Sequence, residues 1–391
     1  MIRFDEAVRL VAAAAQPLGS ETIKLDEAHG RVLAAPVIAR VSSPWADVST
    51  MDGYAVHEAD LGVSALRVIG QSFPGNGFDG SIAAGEAVRI FTGAPVPAGA
   101  DRVIIQENVQ REDDRLRVLE VGSGTNIRRA GSDFVEGAVL LEPGTVLNPR
   151  ALVAAAAADV AEVTVHRRPR LRLIATGDEL AEPGSARDRF GAIPESISVG
   201  VAALASEWGA EPMGKTRLSD DLAAMRTHAQ AACGDADLVV VTGGASVGER
   251  DFAKAMFGDT LDLIFSKVAI KPGKPVWLGR MGAALVMGLP GNPTSAMVTA
   301  RLLLAPLIAG MTGRDPAEAL RWRPLPLPHA LGPAGDRETF SRAALEAGAL
   351  RLLPNQDSGA QKTLVTADLL VRRPAGDSGL TAGAPVQVLD F

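Results

Sequence analysis

The residues best suited by type and spacing to do chemistry lie in "KVAIKPGKPVWLGR", residues 267–280, which holds Lys267, Lys271, Lys274 and Arg280 and no acid. No Asp or Glu occurs from Leu263 through Arg314, and Arg301 and Arg314 raise the basic residues of that span to six. The chain as a whole is acidic, with 46 Asp and Glu against 39 Lys and Arg and a formal net charge of -7. Ammonium groups gathered at a stiff Pro-Gly turn in an acidic body concentrate a small, multiply charged anion while discouraging general nucleic-acid binding. A solvated cationic face explains Arg280, Arg301 and Arg314 equally well. It explains the three clustered lysines less well.

Three Gly-containing segments adjoin this turn in the pattern: "ATGDEL" (175–180), "VTGGASVGERDF" (241–252) and "GLPGNPTSA" (288–296). Each follows an apolar run and leads toward a helix. The carboxyl ends of strands in an open α/β sheet are where ligands bind, and free N–H groups at helix starts favour phosphate. Carboxylates occupy the same places: Asp178, Glu179, Asp220, Asp221, Glu249 and Asp251. Acids beside an anion site either hold Mg²⁺ or orient donors. Helix N-capping is the competing reading for Asp178 and Asp251, and a first-turn acid for Glu249. The five His are scattered, which argues against a zinc hydrolase or a His-based triad. Neither a Walker motif nor GxGxxG is present.

The elements that must position these groups follow from periodicity. Residues 1–20 read as one amphipathic helix, with Phe4, Ala7, Val8, Val11 and Ala12 at helical spacing. Residues 25–135 read as a mostly β module, with short β-rich runs between turn signals such as "FPGNGFDG". Asn148 and Pro149 open a second helix, over 148–160. From 167 to 320, apolar strands alternate with helices, which predicts an α/β layer with a largely parallel sheet. A Pro-rich linker (322–333) then leads to a small C-terminal β domain. The predicted organisation is α/β plus β in an elongated multidomain chain: 1–24 with 136–166 as a helical linker unit, 25–135 as the β module, 167–320 as the α/β domain and 321–391 as the C-terminal β domain. The single Cys233 excludes an internal disulfide and suits a reducing cytoplasm. Asp5, Glu6 and Arg9 break any signal-peptide pattern, and no uncharged apolar run reaches membrane-spanning length.

The N-terminal half has its own motifs. "STMDGYAVHEAD" carries Asp52 and Gly53, which alone read as a β-turn pair, and "FTGAPVPAGAD" and "NIRRAGSDF" are also turn-rich. Taken in order, "MDGYAV", "TGAPVPAGAD", "NIRRAG.D", "TGDEL", "GGASVGERDF", "KPGKP" and "GLPGNPTSA" resemble the MoeA family, the molybdopterin molybdenumtransferases related to the gephyrin E domain. The resemblance runs from about residue 4 to 390. It implies insertion of molybdate into adenylylated molybdopterin with Mg²⁺-dependent release of AMP. It implies a MogA-like α/β domain and a homodimer whose site is shared between subunits. It also implies dealings with a MogA-type adenylyltransferase and with molybdoenzymes. Family positions fall on Asp52, Thr92, Arg128, Asp133, Glu179, Asp220, Asp251, Lys267 and Lys271, with Lys274 completing the turn. The strand-end motifs add Gly243, Gly244, Ser246, Pro290 and Pro293 as substrate contacts. Under this resemblance Lys271, Lys274 and Arg128 clamp the oxyanion. Glu179, Asp220 and Asp251 position Mg²⁺ and a water, with Lys271, Lys274, Asp251 and Glu179 as the catalytic set. The chain departs from the family at Glu195-Ser196-Ile197, where Asp-Ser-Asn is usual: Glu keeps the charge with one more methylene, and Ile removes an amide. A carrier that binds molybdopterin or the finished cofactor without catalysing insertion is the alternative on the same fold. The extra domain and long linker of a scaffold are missing, and a Rossmann dehydrogenase would need the absent GxGxxG.

Overall fold

The computed structural model describes residues 1–243 and 252–391. The expected Gly244, Ser246, Glu249 and Asp251 lie outside the described residues.

The α/β domain forms where the sequence is most continuously apolar. Leu238–Thr242 and Ala284–Leu289 are buried at every residue, as strands covered on both faces must be. They sit in a six-stranded sheet ordered Glu211–Leu218, Arg170–Thr176, Leu238–Thr242, Ala284–Leu289, Trp277–Met281, Asp262–Phe265. The first four strands are mutually parallel, and Trp277–Met281 runs antiparallel to both of its neighbours, Ala284–Leu289 and Asp262–Phe265. Alternate residues serve opposite faces. Leu238 and Val240 pack under the helices Ile197–Glu207 and Pro293–Thr299, whereas Val239 and Val241 face Met225 and Ala229 of the helix Leu222–Asp235.

The helical run Pro293–Met311 contains a π segment at Ala300–Leu304. It is long and apolar enough by composition to cross a membrane, yet 89% of it is buried inside the protein, so it acts as a core helix. Arg301 within it is not part of a solvated face. Its guanidinium donates to the carbonyls of Asp390 and Ala319 and lies over the Trp208 ring. Arg314 lies over the same ring and donates to Gly30 O. These two arginines are structural ties.

The first helix is shorter than the pattern suggested, at Phe4–Ala14. Its Phe4, Ala7 and Val11 join the core of the α/β domain, and Phe4 meets Phe340 of the C-terminal domain edge-on. Ser20–Lys24 instead pairs antiparallel with Glu162–His166, beside a separate core that includes Leu33, Leu147 and Ala155. The second helix is Pro149–Ala157, and Asn148 Oδ1 accepts from the Arg150 and Ala151 amides at its start. Residues 53–118 build a six-stranded sheet ordered Arg102–Ile105, Gly53–Val56, Glu86–Ile90, Leu66–Ser72, Arg115–Val118, Val109–Glu112. The C-terminal sheet takes in one pair from far upstream: Ile270–Lys271 lies parallel to Glu338–Glu346, opposite Glu338 and Thr339.

Candidate functional site: an acid-and-lysine cleft at the strand ends

Four parallel strands end on one side of the sheet, and a cleft of about 910 Å³ opens there. The turn after Arg170–Thr176 brings Gly177 and Glu179 to it, and the turn after Glu211–Leu218 brings Asp220. Gly243 ends the next strand, and Pro290 and Pro293 flank the turn after Ala284–Leu289. Lys267 and Lys274 come from the antiparallel side, and Lys254 joins them. The structure therefore gathers Glu179, Asp220, Gly243, Lys267, Lys274, Pro290 and Pro293 of the expected set in one cleft.

Local geometry explains why these groups meet. Asp178 caps no helix among the described residues, so the competing capping reading does not hold for it. Its Oδ1 accepts the Asp220 amide at 3.1 Å and so ties the two acid-bearing turns together. Arg189 donates to the carbonyls of Asp178 and Leu180 and pins the same turn. Asp221, not Asp178, is the N-cap, accepting from the Ala223 and Ala224 amides. Gly243 has φ +87°, and a Cβ there would lie 2.4 Å from Thr176 O, so only glycine fits the crossing of these two strand ends.

The lysine turn divides its own side chains. Val268 N–H donates to Lys274 O and Val276 N–H to Gly273 O, which folds 268–276 back on itself. Gly273 has φ +106° and presses against Thr299, where a Cβ would approach Cγ2 to 2.1 Å. Lys267 and Lys274 consequently line the cleft, while Lys271, in the strand shared with the C-terminal sheet, is exposed and not among its lining residues.

A contribution the sequence reading missed comes from the C-terminal domain. Gly359 and Gln361 line the cleft. Asn292 Nδ2 donates to Ser358 Oγ at 3.1 Å, and the Thr294 amide donates to Ser358 O at 3.2 Å. Arg342, only 1% exposed, donates to the carbonyls of Asn355 and Asp357 and holds the loop in place. The only sequence signal was the turn-forming cluster "NQDSG", which specifies a loop but not its destination.

The N-terminal motifs also converge, but on one another. The Thr50 amide donates to Asn126 O, the Gly93 amide to Ser49 O, and Ile127–Arg128 pairs with Val48–Ser49. Gly53 is the first residue of a strand and not half of a β-turn, another departure from the sequence reading. Asp52 Oδ1 accepts the Thr92 amide and hydroxyl, both at 2.8 Å, and these bonds hold its carboxyl below the usual carboxylate range. Arg128 lies 3.6 Å from Asp133. Asp52, Thr92, Arg128 and Asp133 are thus grouped, and none of them lines the cleft of its own chain.

Glu195 stands at the cleft's other end. It is 3% exposed, and its Oε1 accepts the Ser198 amide at the start of the helix Ile197–Glu207. Lys215 Nζ lies 3.5 Å from Oε2 and 2.8 Å from Glu182, and the Glu182 hydrogen bond raises the lysine's pKa above its ordinary value. Among the described residues, no three His, Cys, Asp or Glu side chains gather into a metal-binding group. Glu179 and Asp220 nevertheless offer two hard oxygen donors in one cleft, which is what Mg²⁺ shared with substrate phosphates needs.

Comparisons with known proteins agree with this architecture. Residues 2–158 match the MoeA N-terminal region (domain I and II), 172–310 a probable molybdopterin binding domain, and 324–391 the MoeA C-terminal region (domain IV). A Haemophilus influenzae molybdopterin molybdenumtransferase is 40% identical over 318 residues, covering 80% of this chain and 78% of that protein. Molybdopterin molybdenumtransferase 2 of Mycobacterium tuberculosis is 32% identical over the whole of both chains. The crystal structure of the molybdopterin biosynthesis moeA protein from Pyrococcus horikoshii OT3 superposes over the full length of both chains, with a TM-score of 0.86 at 27% identity. By its three matched regions and its full-length relatives, the chain belongs to the MoeA family of molybdopterin molybdenumtransferases.

Proposed function

We propose that this protein inserts molybdate into adenylylated molybdopterin and releases AMP. The observation that carries the proposal is the cleft itself, with Glu179 and Asp220 on neighbouring strand-end turns and Lys254, Lys267 and Lys274 also on its walls. The lysines neutralise the pyrophosphate and the incoming oxyanion and hold them close, so proximity and charge neutralisation supply most of the acceleration. Glu179 and Asp220 would hold Mg²⁺, and Asp251 completes the expected acid set. The ion would neutralise the pyrophosphate oxygens as a Lewis acid. Water adds to one phosphorus, the P–O–P bond to AMP breaks, and the carboxylates accept the proton that the water loses.

Asp52 with Thr92 and Arg128 with Asp133 fit this reading if they reach the cleft of a second subunit. Two features support that arrangement: they are grouped at one exposed place, and they line no part of their own chain's cleft. Lys271, exposed and outside the lining of its own chain's cleft, fits this reading in a role across a dimer contact. A MogA-type adenylyltransferase would supply the substrate and molybdoenzymes would take the product, in a reducing cytoplasm that suits the single Cys233.

The test is turnover of purified protein with adenylylated molybdopterin, Mg²⁺ and molybdate, following AMP and cofactor together. Molybdate-dependent AMP release that falls about 100-fold or more in Lys274→Ala supports the reading. Tight pterin binding without AMP release leaves the carrier. In a mixed-dimer experiment, Asp52→Asn on one chain and Lys274→Ala on the other should restore about half of one subunit pair's activity, whereas no complementation refutes the shared site.

A further inference from the structure

We infer that Glu195 forms a subsite for the ring end of the ligand, and that it selects a 2-amino-lactam edge such as a pterin carries. The inference rests on the proposed function in taking the ring to be a pterin. Glu195 lines the cleft and is almost fully buried. One carboxylate oxygen accepts the Ser198 amide, and the other has no hydrogen-bond partner among the described residues. Lys215 Nζ, 3.5 Å from that oxygen, supplies countercharge as a long ion pair. A buried acceptor without a hydrogen bond, on a residue that lines a cleft, is satisfied by a donor from whatever enters. Ser198 Oγ, next to it, is likewise buried without a partner among the described residues. The neighbouring wall is apolar, made by Leu180, Ile193, Pro194 and Ile197. Together these groups fit a flat ring whose edge presents adjacent N–H donors.

Topology sets the ligand's direction. Glu195 follows the loop from the Arg170–Thr176 strand, and Lys215 lies on the adjacent edge strand. Lys267 and Lys274 bracket the turn before Trp277–Met281, three strand spacings away. At roughly 4.8 Å per spacing the two ends lie about 14 Å apart. The ring therefore binds at Glu195 and the polyanionic tail reaches toward the lysines. A carboxylate pairs with the N3–H and 2-amino group of a pterin. It pairs less well with adenine, which places an acceptor beside its single amino donor.

The experiment is a fluorescence titration of the full chain with pterin-6-carboxylate and with lumazine-6-carboxylate, which replaces the 2-amino group by oxygen. Wild type should prefer the pterin by about tenfold, the discrimination expected from one charge-assisted hydrogen bond. Glu195→Gln, whose amide oxygen can still accept from Ser198, should abolish that preference and leave lumazine affinity within about twofold. Lys274→Ala should weaken both probes together and keep the preference, showing that the effect belongs to the ring. Equal affinity of wild type for the two probes overturns the inference, as does an undiminished preference in Glu195→Gln. Weakened AMP binding in Glu195→Gln with pterin binding intact also overturns it, by placing the nucleobase there. Failure here alongside molybdate-dependent AMP release leaves the proposed activity standing. Selective pterin binding without turnover removes the activity and keeps the subsite.

Discussion

Replacing Gly243 by Ala tests whether the cleft is built by the crossing of two strand ends. The added Cβ would lie 2.4 Å from Thr176 O and 3.0 Å from Thr176 Oγ1, and the residue would be held at φ +87°. The left-handed conformation costs an alanine about 1–2 kcal/mol. The overlap is with a backbone carbonyl, which cannot swing aside like a side-chain tip, and adds about 1–3 kcal/mol. The sum is about 2–5 kcal/mol. At about 2–4 °C per kcal/mol for a domain of this size, the α/β domain should melt roughly 4–20 °C earlier by calorimetry. Gly184→Ala separates the two causes, because Gly184 has φ +95° but nothing within 4 Å of its Cβ position. It should cost only the conformational part. If the protein instead relieves the overlap by moving the turn, stability returns and affinity for an anionic pterin falls. A Gly243→Ala protein that melts with Gly184→Ala and binds the pterin normally would refute the close crossing.

Three further outcomes follow from side-chain geometry. Burial alone would raise the pKa of Asp237, but the two-pronged Arg167 contact at 2.9 Å and the Arg170 amide outweigh it and lower the value. Its stabilisation is therefore complete above the unfolded carboxylate value and is lost as pH falls through the lower folded value, so acid melts below about pH 4 should be steeper for wild type than for Asp237→Asn; parallel curves would refute this. Arg342→Leu leaves the Asn355 and Asp357 carbonyls unpaired and should cost about 2–4 kcal/mol, with faster hydrogen exchange confined to 355–361; unchanged exchange there would exclude the clip. Thr92→Val removes one of the two bonds to Asp52 and should raise that carboxyl's pKa toward its ordinary value in carbon-13 NMR, whereas no movement would mean the hydroxyl bond contributes nothing.

What the sequence determined by itself was local or periodic. Uninterrupted runs such as Leu238–Thr242 specify strands buried on both faces, because only that environment tolerates no polar residue on either side of the pleat. Asn148 and Pro149 specify a helix start through groups one turn apart. The ordered motifs also identified the family, and they included the Glu179 and Lys274 that meet in the cleft; Asp220 and Lys267, which meet them there, stand outside those motifs and entered as positions the resemblance implies. Tertiary structure alone decided which neighbours in sequence part company. Lys271 and Lys274 are three residues apart, yet a two-residue strand pairing with Glu338–Glu346 takes one out of the cleft lining, and pairing between residues 68 positions apart leaves no local trace. The loop around Ser358 reaches the cleft through a buried arginine that reads in sequence as one more strand charge. Arg301 and Arg314 looked like surface cations because charge is visible in a sequence, whereas the Trp208 ring that covers both is brought there only by folding. The buried oxygen of Glu195 without a hydrogen bond has the same origin: a sequence shows which acids exist, and only packing decides which of their oxygens go without one.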